Sequence, residues 1–409
     1  MPVSKVVVIN DISRAMGGAT GLAMLSVRAF SARNIPVTYV CGDDGQSSEL
    51  LAAGATILAA GRDRLLDRNR KDAAIRGIYD SATRDMLARL IETEDDPGTI
   101  YHVHGWAQIL SPSIFDALAP VAHRTYVHAH DMFLACPNGV FMDYPRNQVC
   151  QRRPLHLSCL TTNCDKRSYL QKSWRVLREA SLYRSFKKTR PWAGIIVIHP
   201  DMQPRLARAG YDEAMFRVVR NPAAAFTQNR IAAEDNSGLA FVGRLEQDKG
   251  ALALAQAAKR TGMPVTFVGD GPLRDAILRE LPDATITGWQ PRDDIGTWLT
   301  GARALVMPSH HPEPFALVIP EAVQSGLPVA VAATALMAPE IERAGLGVTF
   351  DAFDAASFDQ ALITLRDMDA GQLREISKRG VSQGKTLANT TESWIDQLLD
   401  LYTETLSAD

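Results

Sequence analysis

The chain has 409 residues, a length that suits about two domains with substantial cores. Its 44 basic and 46 acidic side chains leave a formal charge of −2, which gives no global pull toward nucleic acid. Composition is ordinary for a soluble globular protein, and no run reaches the ~18–20 apolar residues of a membrane span.

The N-terminus goes directly into Lys5-Val-Val-Val-Ile9, without the charged and then long apolar stretch of a secretory signal. A cytoplasmic protein is therefore expected. Residues 6–9, 37–40, 99–102, 125–128 and 195–198 read as buried parallel strands separated by helical stretches, which makes the front half an α/β domain of its own. After the first strand comes Met16-Gly17-Gly18-Ala19-Thr20-Gly21, whose small residues let backbone N–H groups approach a phosphate or a reacting sugar. A plain strand-to-helix turn accounts for it too. So does dinucleotide binding with Asp43 as the ribose acid, although the spacing is not Gly-x-Gly-x-x-Gly.

Tyr101-His102-Val-His104 and Val127-His128-Ala-His130-Asp131 sit at strand ends, the side on which open α/β sheets bind ligands. Alternation along a strand turns the two histidines of each pair to one side. Cys136, Cys150, Cys159 and Cys164 then cluster in one insertion that follows Asp131. They suit either a structural Zn²⁺ or unligated thiols in an irregular loop, because no Cys-x-x-Cys knuckle is present. Between Lys166 and Trp192 lie Lys166, Arg167, Lys172, Arg175, Arg178, Arg184, Lys187, Lys188 and Arg190 against Glu179 alone, with aromatic residues interleaved. Such a segment adsorbs peripherally to an anionic membrane, or is a solvated helix packed by its apolar side. Nucleic-acid binding has less behind it, since no recognition motif accompanies the patch.

Asn221-Pro222 breaks the chain where a second alternating series begins, so the domains are expected at 1–220 and 221–389, with a final amphipathic helix over 390–409. Phe241-Val-Gly243-Arg244-Leu-Glu-Gln-Asp-Lys249-Gly250 places a glycine turn and two cations at the mouth of a helix, a cradle for a diphosphate. Gly269-Asp270-Gly271-Pro272 turns tightly into another helix, and Gly288-Trp289 lets the backbone approach a flat base. Glu313 and Glu321 bracket Phe315, Ala316, Leu317 and Val318, and a fixed carboxylate accepts hydroxyl hydrogen bonds well. One could hold the sugar of a sugar nucleotide and the other its ribose. No Walker loop occurs, and the only Asp-x-Asp, Asp367-Met-Asp369, lies far from these motifs in a polar helical stretch.

In order, FVGRLEQDKG, FVGDGP, TGWQ, MPSHHPEPFALVIPEA and SGLPV resemble the C-terminal half of the retaining GT-B glycosyltransferases of family four, most densely over residues 239–332. The resemblance implies two Rossmann-like parallel-sheet domains facing across a cleft, with the last helix crossing back onto the first. It implies transfer of a hexosyl group from a UDP- or GDP-sugar to a glycan or lipid-linked hydroxyl acceptor at one face of the donor, without metal or cofactor. Gly17 and Gly18 then face the donor, His130 meets the donor sugar, and His104 and Asp131 lie toward the acceptor. Arg244 and Lys249 offset leaving-group charge, Glu313 holds the sugar and Glu321 the ribose. Gly243, Gly269, Trp289, Phe315, Ala316, Leu317 and Val318 complete the donor site. Ala316 stands where the family has glycine, and Thr334-Ala-Leu-Met337 replaces a glycine pair. A sugar-nucleotide epimerase and a non-catalytic sugar-nucleotide binder are the alternatives.

Overall fold

In a computed structural model, which describes residues 2–14 and 17–408, the chain divides into two compact units. One comprises Met1–Arg220 and Thr391–Asp409, the other Asn221–Thr390.

The first unit is built on a parallel sheet of seven strands: β1 (Lys5–Asn10), β2 (Val37–Cys41), β3 (Thr56–Ala59), β4 (Thr99–Val103), β5 (Thr125–Ala129), β8 (Gly194–Val197) and β9 (Phe216–Val218), in the order β3-β2-β1-β4-β5-β8-β9. The hairpin β6 (Met142–Asp143) and β7 (Gln148–Val149) stands apart in the cysteine insertion. Central strands are apolar runs because helices cover both faces of the sheet, and Val6, Val7, Val8 and Ile9 are all buried. The edge strands β3 and β9 were not expected; both are short and partly exposed, so their hydropathy carries little signal.

The helix Thr391–Ala408 belongs to this unit although it ends the chain. Trp394, Ile395, Leu398, Tyr402 and Leu406 recur on one face and are buried against Val6, Phe30, Tyr39 and Tyr126. Each fully buried apolar side chain contributes about 1.5–3 kcal/mol, which is enough to hold the helix there. Tyr126 fixes its register by donating to the Leu401 carbonyl at 2.9 Å.

The basic segment is more internal than its charge implies. It forms the helix Tyr169–Ser185, capped by Ser168. Lys172 and Arg178 are buried within it, as are Leu182, Phe186 and Trp192. Arg178 donates to the carbonyls of Gly77 (2.8 Å), Ala107 (2.8 Å), Trp106 (3.1 Å) and Leu110 (3.3 Å), stitching the helix to the loop that follows β4 and to the end of the helix Arg70–Arg76. Arg175 pairs with Asp165 at 3.0 Å. Leu170, Leu177 and Arg184, at seven-residue spacing, are among the residues that face solvent, together with Lys166, Arg167, Tyr169 and Lys187. Truncating Arg178 to alanine strands several carbonyls at once. At about 1–3 kcal/mol for each buried unsatisfied group, Arg178→Ala is expected to cost at least 3 kcal/mol in denaturant unfolding, and Arg178→Lys to recover little of it.

The second unit carries β10 (Gly238–Val242), β11 (Val265–Val268), β12 (Thr285–Ile286), β13 (Ala302–Met307), β14 (Val329–Ala332) and β15 (Gly347–Phe350), all parallel, in the order β12-β11-β10-β13-β14-β15. The helix Ala251–Thr261 packs closely on this sheet because its buried face is Leu254, Ala255, Ala257 and Ala258. Ala223 and Asn389 bond across the unit's two ends at 3.0 Å, so its first and last residues lie side by side.

Candidate active site

Strand order turns around between β10 and β13 in the second unit, and ligands of open α/β sheets bind at such a point beyond the strands' carboxyl ends. The predicted donor residues of this unit follow those ends: Arg244 and Lys249 after β10, Gly269 after β11, Trp289 after β12, and Glu313 after β13. Two glycines make the loops possible. Gly250 has φ 72°, and a Cβ there would lie 2.0 Å from the Pro308 carbonyl oxygen. Gly269, at φ 147°, would clash equally with the carbonyl of Gly243. Both let one loop's backbone lie directly on its neighbour's, which is a packing role in addition to any approach to ligand.

Gly250 thereby brings Lys249 to Glu313, and the two form an ion pair. Ser309 Oγ donates to the same carboxylate at 2.9 Å and His311 Nε2 lies 3.2 Å away. Lys249 and His311 hold the Glu313 carboxyl well below the usual range even though burial acts the other way. The residues that replace the family's glycine pair serve this loop: Thr334 Oγ1 donates to the Ser309 carbonyl at 2.9 Å, and Leu336 N–H to that of Glu313 at 3.1 Å. Arg244 is exposed and pairs with Glu246 at 2.7 Å.

Phe315 is buried, with Ala316, Leu317 and Val318 partly exposed, and the helix Val318–Gln324 carries Glu321 in its first turn. Glu321 is buried and paired with Arg292, a residue the sequence reading missed. Arg292 also donates to the Ala224 carbonyl at 2.9 Å and stacks 5.6 Å from the Phe226 ring. Burial pushes the Glu321 carboxyl up to about 7, against the pull of Arg292. Trp289 is 75% exposed.

The first unit has its own turn-around point between β1 and β4. Gly17, at φ 133°, precedes the helix Gly18–Ser31; Met16 lies outside the described residues. Asp43 is not open for a ribose, because its carboxylate accepts from the Ser13 N–H (2.8 Å) and hydroxyl (3.0 Å). Asp11 ties β1 to the loop after β4 by accepting from the N–H groups of Gln108, Ile109 and Leu110.

Strand alternation stacks the histidines as expected. His102 lies over His104 with centroids 4.1 Å apart, and His128 over His130 at 4.2 Å. Across the strands His102 Nε2 meets His128 Nδ1 at 3.1 Å, and His104 Nδ1 meets His130 Nε2 at 3.0 Å. Burial holds His102 and His130 down to about 3 and the other two well below their ordinary value, so all four rings are neutral. The partner that orients His130 is therefore His104. Asp131 is exposed and instead accepts from the Phe133 N–H at 2.9 Å.

Among the described residues, the side chains whose ligand atoms lie mutually within 4.8 Å are His102, His104 and His128. Their rings are stacked or edge to edge, and lone pairs in near-parallel planes do not converge on one ion about 2.0–2.1 Å from each nitrogen. The four insertion cysteines are buried but are not such a set, so zinc there finds no support in the geometry. The buried ammonium of Lys172 donates instead to Cys164 Sγ (3.1 Å) and Cys159 Sγ (3.4 Å), while Cys136 donates to Asn138 Oδ1 (3.0 Å).

Two parallel-sheet α/β units in one chain, together with the structural likenesses given below, identify the GT-B fold. Residues 236–367, in the second unit, match the model of the family described as "Glycosyl transferases group 1". A GDP-mannose-dependent alpha-mannosyltransferase of Corynebacterium glutamicum is 35% identical over 88 residues, 22% of this chain and 21% of that protein. Glycogen synthase of Mycobacterium tuberculosis is 26% identical over 268 residues, 61% of each chain. The chain thus spans between a fifth and three fifths of these curated relatives. Among solved structures, Anabaena HepE in complex with UDP superposes with a TM-score of 0.67 at 15% identity, over 99% of this chain and 100% of that one. Sucrose-phosphate synthase from Thermosynechococcus elongatus gives 0.71 at 14% identity over the same shares.

Proposed function

We propose that the protein is a retaining glycosyltransferase that moves a hexosyl group from a nucleoside-diphosphate sugar to a hydroxyl acceptor. The observation that carries this reading is the Lys249–Glu313 pair at the β10/β13 turn-around, inside the matched family domain. A cation and a sugar-binding carboxylate held side by side suit the junction between a leaving diphosphate and a sugar ring. As the glycosidic bond to the diphosphate breaks, Lys249 and Arg244 offset the charge that grows on the leaving oxygen, without a metal ion. Glu313 accepts from the sugar hydroxyls and Glu321 from the ribose. The acceptor hydroxyl adds at the face from which the diphosphate departs, and so the anomeric configuration is kept.

UDP- and GDP-sugars are the donor classes to try, given the GDP-mannose named for one relative and the UDP bound in one structural neighbour. Thermal stabilisation by a panel of both identifies the donor, since only a ligand of the native state raises its melting point. Nucleoside diphosphate released only when an acceptor glycan is present, with the product anomer matching the donor, is the expected result. Release without acceptor, or an isomerised sugar nucleotide, would instead mark an epimerase; binding without turnover would mark a non-catalytic protein.

A lipid-linked acceptor of surface polysaccharide synthesis and peripheral contact with a cytoplasmic membrane face suit the stripe of Leu170, Leu177 and Arg184. It borders a cavity of about 890 Å³ whose lining includes Tyr79, Asp116, Lys187 and Arg190. Among the described residues no helix is long and apolar enough to cross a membrane. Salt-reversible binding to vesicles of anionic phospholipid is expected, and Leu177→Glu together with Arg184→Glu should abolish it.

A further inference from the structure

Lys172, in the helix Tyr169–Ser185, is 1% exposed, and among the described residues no carboxylate meets its ammonium. It donates instead to two sulfurs, Cys164 Sγ at 3.1 Å and Cys159 Sγ at 3.4 Å. Burial works to strip the proton from this amine, but the facing thiols of Cys164, Cys159 and Cys136 outweigh it, so the group stays charged. The two thiols that share the ammonium are also near in sequence. Cys159 lies in the short helix Leu157–Leu160, and Cys164 follows residues 161–163, which belong to no helix or strand. Thr161 and Asn163 are exposed, and Cys159 and Cys164 keep 7% and 5% of their surface, so solvent reaches the edge of the pair.

The other two cysteines of the insertion are placed differently. Cys136 donates to Asn138 Oδ1, and burial pushes its thiol up to about 12. Cys150 meets the Arg152 guanidinium at 3.7 Å. At Cys164 burial also raises the thiol, but there the Lys172 ammonium opposes the rise, and a neighbouring cation is what favours the reactive thiolate.

We propose that Cys159 and Cys164 are a site of reversible oxidation, closed to a disulfide by a peroxide, with Lys172 as the cation that assists the step and is released by it. The Cys164 thiolate attacks one peroxide oxygen, the O–O bond breaks, and the departing hydroxide takes a proton to become water. Cys159 then attacks the sulfur of the resulting sulfenic acid, whose oxygen leaves as a second water. Both thiol hydrogens end in water; the two sulfurs lose two electrons and the peroxide gains them. A disulfide sulfur accepts hydrogen bonds poorly, so the bridge leaves the ammonium buried without an adequate partner. The first turns of the helix Tyr169–Ser185 then open to return Lys172 to water.

Hydrogen peroxide treatment of the full-length protein, read by peptide mass mapping, is expected to remove two hydrogen atoms from the stretch that holds Cys159 and Cys164. Dithiothreitol should restore them. Cys136 and Cys150 should stay open to alkylation once the chain is denatured. Amide exchange in the first turns of the helix Tyr169–Ser185 should rise about tenfold on oxidation and fall back on reduction. Lys172→Met should slow the reaction about tenfold, the loss of the cation beside the thiolate. Cys159→Ser, which also serves if Lys172→Met does not fold, should stop Cys164 at a sulfenic acid that dimedone captures. Free thiols at both positions after peroxide, a bridge to Cys136 or Cys150, or helix exchange that oxidation leaves as it was overturns the proposal. So does one equivalent of zinc in the purified protein, since the thiolates would then be its ligands. No sugar transfer enters these readouts, so their outcome stands apart from the glycosyltransferase reading.

Discussion

Lys249→Ala is expected to lower the turnover of glycosyl transfer by about 10²–10³-fold, comparable with removing one oxyanion donor elsewhere. The reason lies in where the ammonium is held. Lys249 projects from a single 3-10 turn, Gln247–Lys249, whose path depends on the close seating of Gly250 on Pro308. Its partner Glu313 is held in turn by Ser309 and His311. Little reorganisation is needed when charge develops nearby, and an ammonium already in place stabilises that charge best. The variant also leaves Glu313 with one charged neighbour fewer. Both side chains are partly exposed, so the stability lost should fall below the about 3–5 kcal/mol of a fully buried pair. Because the Glu313 carboxyl is depressed from its ordinary 4.5, the stability it supplies is present above pH 4.5 and lost as acid protonates it. Circular dichroism and initial rates with a saturating donor make the test. Near-wild-type turnover in a folded Lys249→Ala protein removes Lys249 from the mechanism. Gly250→Ala should reproduce part of the loss without touching the ammonium, since a Cβ there displaces the turn.

The loops after β10, β11, β12 and β13 were legible because their signals are local. A glycine between a strand and a helix, a cation one or six residues on, and a carboxylate beside a proline all announce themselves within ten positions. The histidine stacking was legible for the same reason, since strand alternation alone sets which side each ring takes. Contacts made across the fold carried no such signal. Arg292 opens an unremarkable polar helix, and nothing short of the folded sheet brings it to Glu321, 29 positions away. Tyr402 read only as one apolar position on an amphipathic face; its hydroxyl meets His102 across 300 residues. Lys172 and Arg178 misled in the opposite direction. Charge suggests solvent, yet a guanidinium that satisfies several carbonyls, or an ammonium among thiols, can be buried when every donor finds an acceptor. The basic segment was consequently read as more of a surface than it is.

With Glu321 on the ribose, as proposed, donor binding is expected to depend on pH near neutrality. Its carboxyl is pushed up to about 7 by burial, so at pH 6 most molecules carry the neutral acid, and at pH 8 most carry the carboxylate. Only the carboxylate accepts from both ribose hydroxyls. Donor affinity should therefore rise roughly tenfold from pH 6 to pH 8, as the ionised fraction does. The fold responds with the opposite sign. A carboxyl raised from 4.5 contributes most to stability below pH 4.5 and loses that contribution as pH climbs through 7, so binding improves where this group favours the native state least. Arg292 opposes the shift, and Arg292→Met should move the rise in affinity to higher pH. Glu321→Gln should flatten the profile and weaken donor binding by about 10–100-fold, the loss of one charge-assisted hydrogen bond of about 1.5–3 kcal/mol. Titration calorimetry of the identified donor at pH 6, 7 and 8 distinguishes these outcomes. A dissociation constant that does not change with pH in the wild type places the ribose elsewhere. A Glu321→Gln protein that binds as tightly as the parent does the same, and would leave Arg292 and Glu321 as a structural pair closing the start of the helix Val318–Gln324.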